Sequence, residues 1–160
     1  MTPTPQHAPI VVGLDLADAD HDPVLGAALE QARLRDAPLC IIHTITADAP
    51  LAGAAAAGPD ARQAYRTQTD DRHVRVQDAT DGLRRHVARL AHGSRRPAVL
   101  SFDVRQGDPA TWVLGAARYA DLIVIGTRRP DNHDSPFLLG TVSQDIAVHA
   151  TCPVLLVPTT

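Results

Sequence analysis

Five short apolar runs recur along the chain, each separated from the next by a stretch with helical spacing, and this alternation limits the fold more than any other feature. The runs are IVVGLD (10–15), LCIIHTI (39–45), AVLSFDVR (98–105), DLIVIG (121–126) and PVLLV (153–157). Each is too short for a core helix, and IVVGLD is apolar up to its closing Asp15. Strands buried on both faces read this way, as they do in parallel sheets. The segments between the runs read as helices. Pro23 suits a first turn with Asp22 as N-cap, and Val24, Ala27, Ala28, Gln31, Leu34 and Arg35 follow helical spacing up to about Asp36. A long polar helix is expected over roughly 63–92, its face carried by Tyr65, Val76, Leu83, Val87 and Leu90, with a stop at His92-Gly93-Ser94. Gly107-Asp108-Pro109 turns into a third helix, capped by Asp108, whose inner face is Val113, Leu114 and Ala117. A fourth helix is expected over 141–150, with Ile146 and His149 three residues apart.

The order β-α-β-α-β-α-β-α-β implies an α/β fold, a single five-stranded parallel sheet with helices on both faces. With strand order 3-2-1-4-5 the sheet reverses between strands one and four. Ligands of doubly wound sheets bind at the carboxyl ends of the strands beside such a switch. Asp15 ends strand one, and Gly126 ends strand four. After Gly126 comes a polar loop and then Gly140-Thr141-Val142-Ser143, where the fourth helix begins. Unpaired backbone N–H groups and the positive end of the helix dipole meet there, so the start of this helix suits a phosphate. The ordinary alternative is a helix cap worth about 1 kcal/mol with no ligand.

Composition bounds the function. The chain has 160 residues, 44% hydrophobic and 21% charged, which fits one globular domain with an aliphatic core. Residues 1–8 read as a flexible tail, 9–160 as the domain, and the Ala, Gly and Pro-rich stretch 46–62 as a mobile loop. A net charge of −3 and 3% aromatics offer neither a basic face nor stacking platforms for nucleic acid. All fifteen basic residues are Arg, which fits a GC-rich bacterial coding sequence. No apolar run approaches the ~18 residues of a membrane span. Cys40 and Cys152 each adjoin an apolar run and read as small buried hydrophobes, which suits the cytoplasm. The eight histidines show no paired helical or Cys–His spacing, so no metal site is expected. There is no G-x-S-x-G elbow, and without lysine there is no P-loop, so no catalytic set is assigned.

Four stretches together, IVVGLD, LCIIHTI, QGDPATWVLGAARYADLIVIGTR and LLGTVSQDIAVHATCPVLLVP, resemble the universal stress protein family from Ile10 to Pro158. The resemblance implies a five-stranded nucleotide-binding-like fold, a stress-response role, and a homodimer through the last strand, residues 153–158. One branch of the family binds ATP with a G-x-x-G, nine residues, G-[ST] pattern. Gly126 matches the first glycine, Gly140 and Thr141 the final pair, and Val142 and Ser143 the positions that follow. Asp15 matches the strand-one aspartate near base and ribose, with Gly13 before it, and Ile42, His43 and Thr44 fall where the adenine wall would be. Two departures stand out. Arg129 takes the place of the second glycine, and the spacer 130–139 has ten residues. Arg128 and Arg129 either grip phosphates as bidentate forks or fill the site. His43 also reads as a satisfied core histidine, and His133-Asp134 as a solvated pair in the loop. Three functional readings follow: an ATP-binding protein, with or without magnesium; a nucleotide-free interaction protein; and a weak nucleotidase using Asp15.

Overall fold

The computed structural model describes residues 7–15, 21–45, 58–92, 97, 99–128 and 139–159. Along the chain the elements are β1 (Ile10–Leu14), α1 (Asp22–Arg35), β2 (Leu39–Ile45), α2 (Pro59–Leu90), β3 (Leu100–Gln106), α3 (Pro109–Ala117), β4 (Leu122–Arg128), α4 (Thr141–His149) and β5 (Val154–Thr159). They form one five-stranded sheet in the order β3-β2-β1-β4-β5, parallel at every pairing. This is the expected topology.

Side chains alternate across each strand, and this divides the core in two. Ile10, Val12 and Leu14 of β1 join Leu39 and Ile41 of β2 and Val124 of β4 under α1 and α2, where Val24, Leu25, Ala28, Leu83 and Val87 meet them. Val11, Ile42, Ile123 and Ile125 point the other way and pack against Ala110, Val113 and Ala117 of α3 and Ile146 of α4. The first two crossovers run outward from β1 to β3. The third returns past β1 to β4 on the opposite face, so right-handed connections leave both faces covered.

Several boundaries differ from the expected ones, each for a local reason. α2 begins at Pro59, not residue 63, because Pro59 at the first helical position and Asp60 in the first turn are themselves start signals. Residues 59–62 of the anticipated loop are therefore helical, and 46–57 lie outside the described residues. Gly58 precedes the helix at φ 87°, where a glycine is favoured. Tyr65 does not share the packed face; it is 55% exposed, because the helix meets the sheet only in its later turns, with Leu83 and Val87 as its buried residues. Leu34 is also exposed, and Leu25 and Ala32 complete the buried face of α1 instead. Asp22 is not the N-cap. His21 holds that position without a side-chain cap bond, and Asp22 sits in the first turn. α1 stops as expected at Asp36, which adopts the left-handed conformation (φ 48°, ψ 40°). β4 and β5 run two residues further than expected because their ladder continues to Arg128 and Thr159. Pro158 is accommodated because β5 is an edge strand. Of the expected pair on α4, Ile146 is fully buried and His149 is exposed. Among the described residues no helix is long and apolar enough to cross a membrane.

The cap of α3 is as expected: Asp108 accepts from the Thr111 backbone N–H at 2.8 Å and from the Thr111 hydroxyl at 2.7 Å. The Thr111 hydroxyl first, and then the Thr111 N–H, hold the Asp108 carboxyl below its ordinary range. A depressed carboxylate adds stability above its unfolded pKa and loses it as pH falls through the folded value. Asp108→Ala should therefore lower stability by about 1 kcal/mol at neutral pH. In urea melts the wild-type advantage should shrink as pH falls below the usual aspartate range.

Candidate functional site

A cleft of about 900 Å³ opens where the strand order reverses, at the carboxyl ends of β1 and β4. Its floor and one wall are apolar, built by Leu14, Ile42, Ile45, Val113, Ile125 and Ile146. Its polar groups lie at the strand ends and helix starts: Asp15 after β1, Thr44 on β2, and Thr141 and Ser143 on α4. An apolar slot with a few convergent polar groups is the general form of a small-molecule site, and this volume lies at the upper end of the common range.

Of the positions singled out in the sequence, Gly13, Asp15, Ile42, Gly126, Gly140, Thr141, Val142 and Ser143 all line the cleft, as does Thr44. His43 does not. Its side chain lies on the α1 and α2 face, buried, with Nδ1 2.9 Å from the Leu14 carbonyl oxygen. It is a satisfied core histidine that ties β2 to the end of β1. Arg128 pairs through β4 with Thr159 of β5, and Arg129 and the loop through 138, with His133 and Asp134, lie outside the described residues.

The glycines do different work. At Gly126 an added Cβ would lie 3.0 Å from Val24 Cγ2 and 3.2 Å from Thr159 Cγ2, so α1 and β5 close on this strand only because nothing projects from it. At Gly13 an added Cβ would meet Val113 Cγ2 at 3.1 Å. Among the described residues Gly140 has no such neighbour within 4 Å, and its φ of −67° suits any residue. Nothing in the packing of the described residues demands glycine there.

Two helices start at this cleft, and they differ. α3 closes its own first turn with Asp108. α4 has Gly140 at its N-cap and no side-chain cap bond. Its first N–H groups therefore have no intrahelical partner and, among the described residues, no side-chain cap. The helix is held by Ile146, fully buried, and by Ser143, whose hydroxyl donates to the Gly126 carbonyl at 2.7 Å. That bond uses the only proton on Ser143, which leaves Thr141 as the exposed hydroxyl donor at this end.

Sequence reasoning did not single out Gly107, Pro109, Val113 or Thr159 as lining residues. The Gly107-Asp108-Pro109 turn was legible, and Gly107 does need glycine, at φ 112°. Its position opposite β1 was not legible, since it depends on which strands are neighbours. Cys40 and Cys152 are both free thiols, partly buried, and burial first, then the charge of Asp121, raises the Cys152 pKa.

The model of the universal stress protein family matches residues 7–158. The chain belongs to the universal stress protein family. A universal stress protein of Mycobacterium tuberculosis is 29% identical over 151 residues, covering 92% of this chain and 47% of the relative. The chain thus spans about half the length of the curated relatives it matches. A universal stress protein solved in complex with cAMP superposes with a TM-score of 0.59 at 21% identity, covering 96% of this chain and 98% of that one. The universal stress protein of Archaeoglobus fulgidus in complex with dAMP gives a TM-score of 0.53 at 20% identity, covering 94% and 98%. These likenesses concern the fold.

The contrast between the glycines is testable by thermal and urea unfolding. Gly126→Ala should cost about 1–3 kcal/mol, since neighbours on both flanks must give way. Gly140→Ala should leave stability within about 0.5 kcal/mol of wild type.

Proposed function

We propose that this universal stress protein binds an adenine nucleotide, ATP in the first place, in the cleft between β1 and β4. It would act by binding rather than by turnover. The observation that carries the reading is the start of α4: an uncapped helix N-terminus opening on the cleft beside a glycine that packing does not require. Phosphate oxygens suit those N–H groups, and the dipole favours their charge. The missing Cβ at Gly140 lets a ligand approach the backbone closely. Thr141 adds a hydroxyl donor. Asp15, at the opposite strand end, is an acceptor for ribose hydroxyls, and the apolar slot around Ile42, Val113 and Ile125 suits the faces of a base. The cAMP and dAMP complexes of related folds agree with adenine as the base. A magnesium ion would have Asp15 as its one carboxylate among the described lining residues, so it would depend on the phosphates for its remaining ligands.

The rival reading is a nucleotide-free interaction protein whose site is closed by Arg129, a residue that lies outside the described ones. The proposal extends to a cytoplasmic homodimer formed along β5. Val154, Leu155, Leu156 and Val157 of this edge strand are each only partly buried, and an apolar edge of this kind calls for cover. Sedimentation at micromolar protein should show a dimer, and a monomer would remove that part.

Equilibrium binding of ATP, ADP, AMP and cAMP, with and without magnesium, tests the site. Wild type should bind at least one of them at micromolar concentration, and saturation at a hundred times Kd should add about 2.7 kcal/mol of stability. Gly140→Asp, which places a carboxylate where the phosphates belong, should abolish binding while leaving the fold intact. Failure of folded wild type to bind any of them would favour the interaction protein.

A further inference from the structure

At the rim of the cleft, two helices bring together two imidazoles and a carboxylate that the nucleotide reading does not use. His21 caps α1, Asp22 opens its first turn, and His86 comes from a late turn of α2. His86 Nε2 lies 2.6 Å from Asp22 Oδ1, and His21 Nε2 lies 3.8 Å from the same oxygen. One ligand atom from each residue falls within 4.8 Å of the others. The imidazole rings lie 4.3 Å apart, tilted by 58°. Their side chains are only 15% and 12% exposed, while Asp22 opens to solvent at 54%.

The geometry does not match a simple ion pair. Among the described residues His86 Nε2 is buried without a hydrogen-bond partner, although it lies 2.6 Å from Asp22 Oδ1. A buried polar atom without a partner carries a desolvation cost that a bound ion would relieve. In a tetrahedral site with bonds of about 2.0–2.1 Å, neighbouring ligand atoms stand ~3.3 Å apart. Small side-chain rotations would open the Asp22–His86 gap and close the His21–Asp22 gap to that spacing.

We propose that His21, Asp22 and His86 form a binding site for a divalent transition metal of the zinc class. Two imidazole nitrogens and one carboxylate oxygen select zinc, cobalt, nickel or copper over magnesium and calcium, which take oxygen ligands. Three protein ligands leave a fourth position for water. The bound ion would fasten the start of α1 to α2 at the mouth of the cleft. Arg89, whose Nη2 lies 2.9 Å from His86 Nδ1, must turn away on loading, because a metal on Nε2 leaves Nδ1 carrying a proton. Arg89 is exposed and can do so. The site stands independently of nucleotide binding.

Titration of the full chain with Co²⁺, followed by displacement with Zn²⁺, tests it. Wild type should take up one equivalent of Co²⁺ with the visible d–d absorption of a four-coordinate ion, lost when one equivalent of Zn²⁺ is added. His86→Gln, His21→Gln and Asp22→Asn should each weaken uptake roughly tenfold or more. His149→Gln should not; it removes an exposed histidine beside Asp145, remote in sequence from the cluster and on α4. Zinc should raise the Tm of wild type and not of the cluster variants. If a histidine variant fails to fold, Asp22→Asn, altered at an exposed group, decides the point. Absorption retained in Asp22→Asn or His86→Gln, absorption lost as fully in His149→Gln, or no one-equivalent uptake by wild type would each overturn the site.

Discussion

The structure depends on one constraint, the handedness of its crossovers. A parallel sheet fed by right-handed connections covers only one face if the chain always steps in the same direction. Here the first two crossovers step from β1 out to β3, and the third steps back across β1 to β4. At that reversal β1 is followed by α1 on one face and β4 by α4 on the other, and the cleft lies at the carboxyl ends of the two strands. The cleft is what this reversal leaves open. Its depth is then set by side chains from both core halves: Val24 of α1 from one face, Val113 of α3 and Ile146 of α4 from the other.

The close approach of those helices explains which glycines the fold requires. Gly126 sits where α1 and β5 converge, and Gly13 sits where α3 crosses β1, so both are consequences of packing. Gly140 is not, and α4 is also the helix whose start is left uncapped. The same comparison applies to the hydroxyls. Ser143 spends its proton holding α4 to β4, whereas Thr141 stays exposed. One short helix thus divides its first turn between a structural anchor and a surface open to ligand.

Strand order, the sites of the helices and nine of the nineteen described lining residues of the cleft were legible in the sequence, through local pattern, the rule for parallel crossovers and the family resemblance. Asp108 could be read as a cap because the cap and its acceptor are three residues apart. What failed were features set by the third dimension. Tyr65 fits the apolar spacing of α2, but the sheet ends before that turn, so spacing alone overstated the face. His43 lies between cleft-lining Ile42 and Thr44, and strand alternation sends it to the other face, where Leu14 satisfies it. Alternation could have predicted this once Ile42 was placed toward the cleft. Asp22 looked like a cap from its place before Pro23, but its carboxylate turns toward His86 across the helix pair.

Histidine spacing along the sequence could not have brought His21, Asp22 and His86 together. Spacing rules detect ligands on one helix or one knuckle, where the chain itself sets the distance. In this fold α1 and α2 lie side by side on the same face because both crossovers from β1 to β3 pass there. A residue at the start of one can therefore meet a residue near the end of the other. α2 holds Leu83 and Val87 against the sheet, and His86 lies between them on the same turns. Its ring therefore takes its position from the core, not from a loop. The partner residues stand at the start of α1, and His21 itself lines the cleft. The one reversal in the sheet thus creates the cleft and sets the helix pair carrying this cluster at its rim.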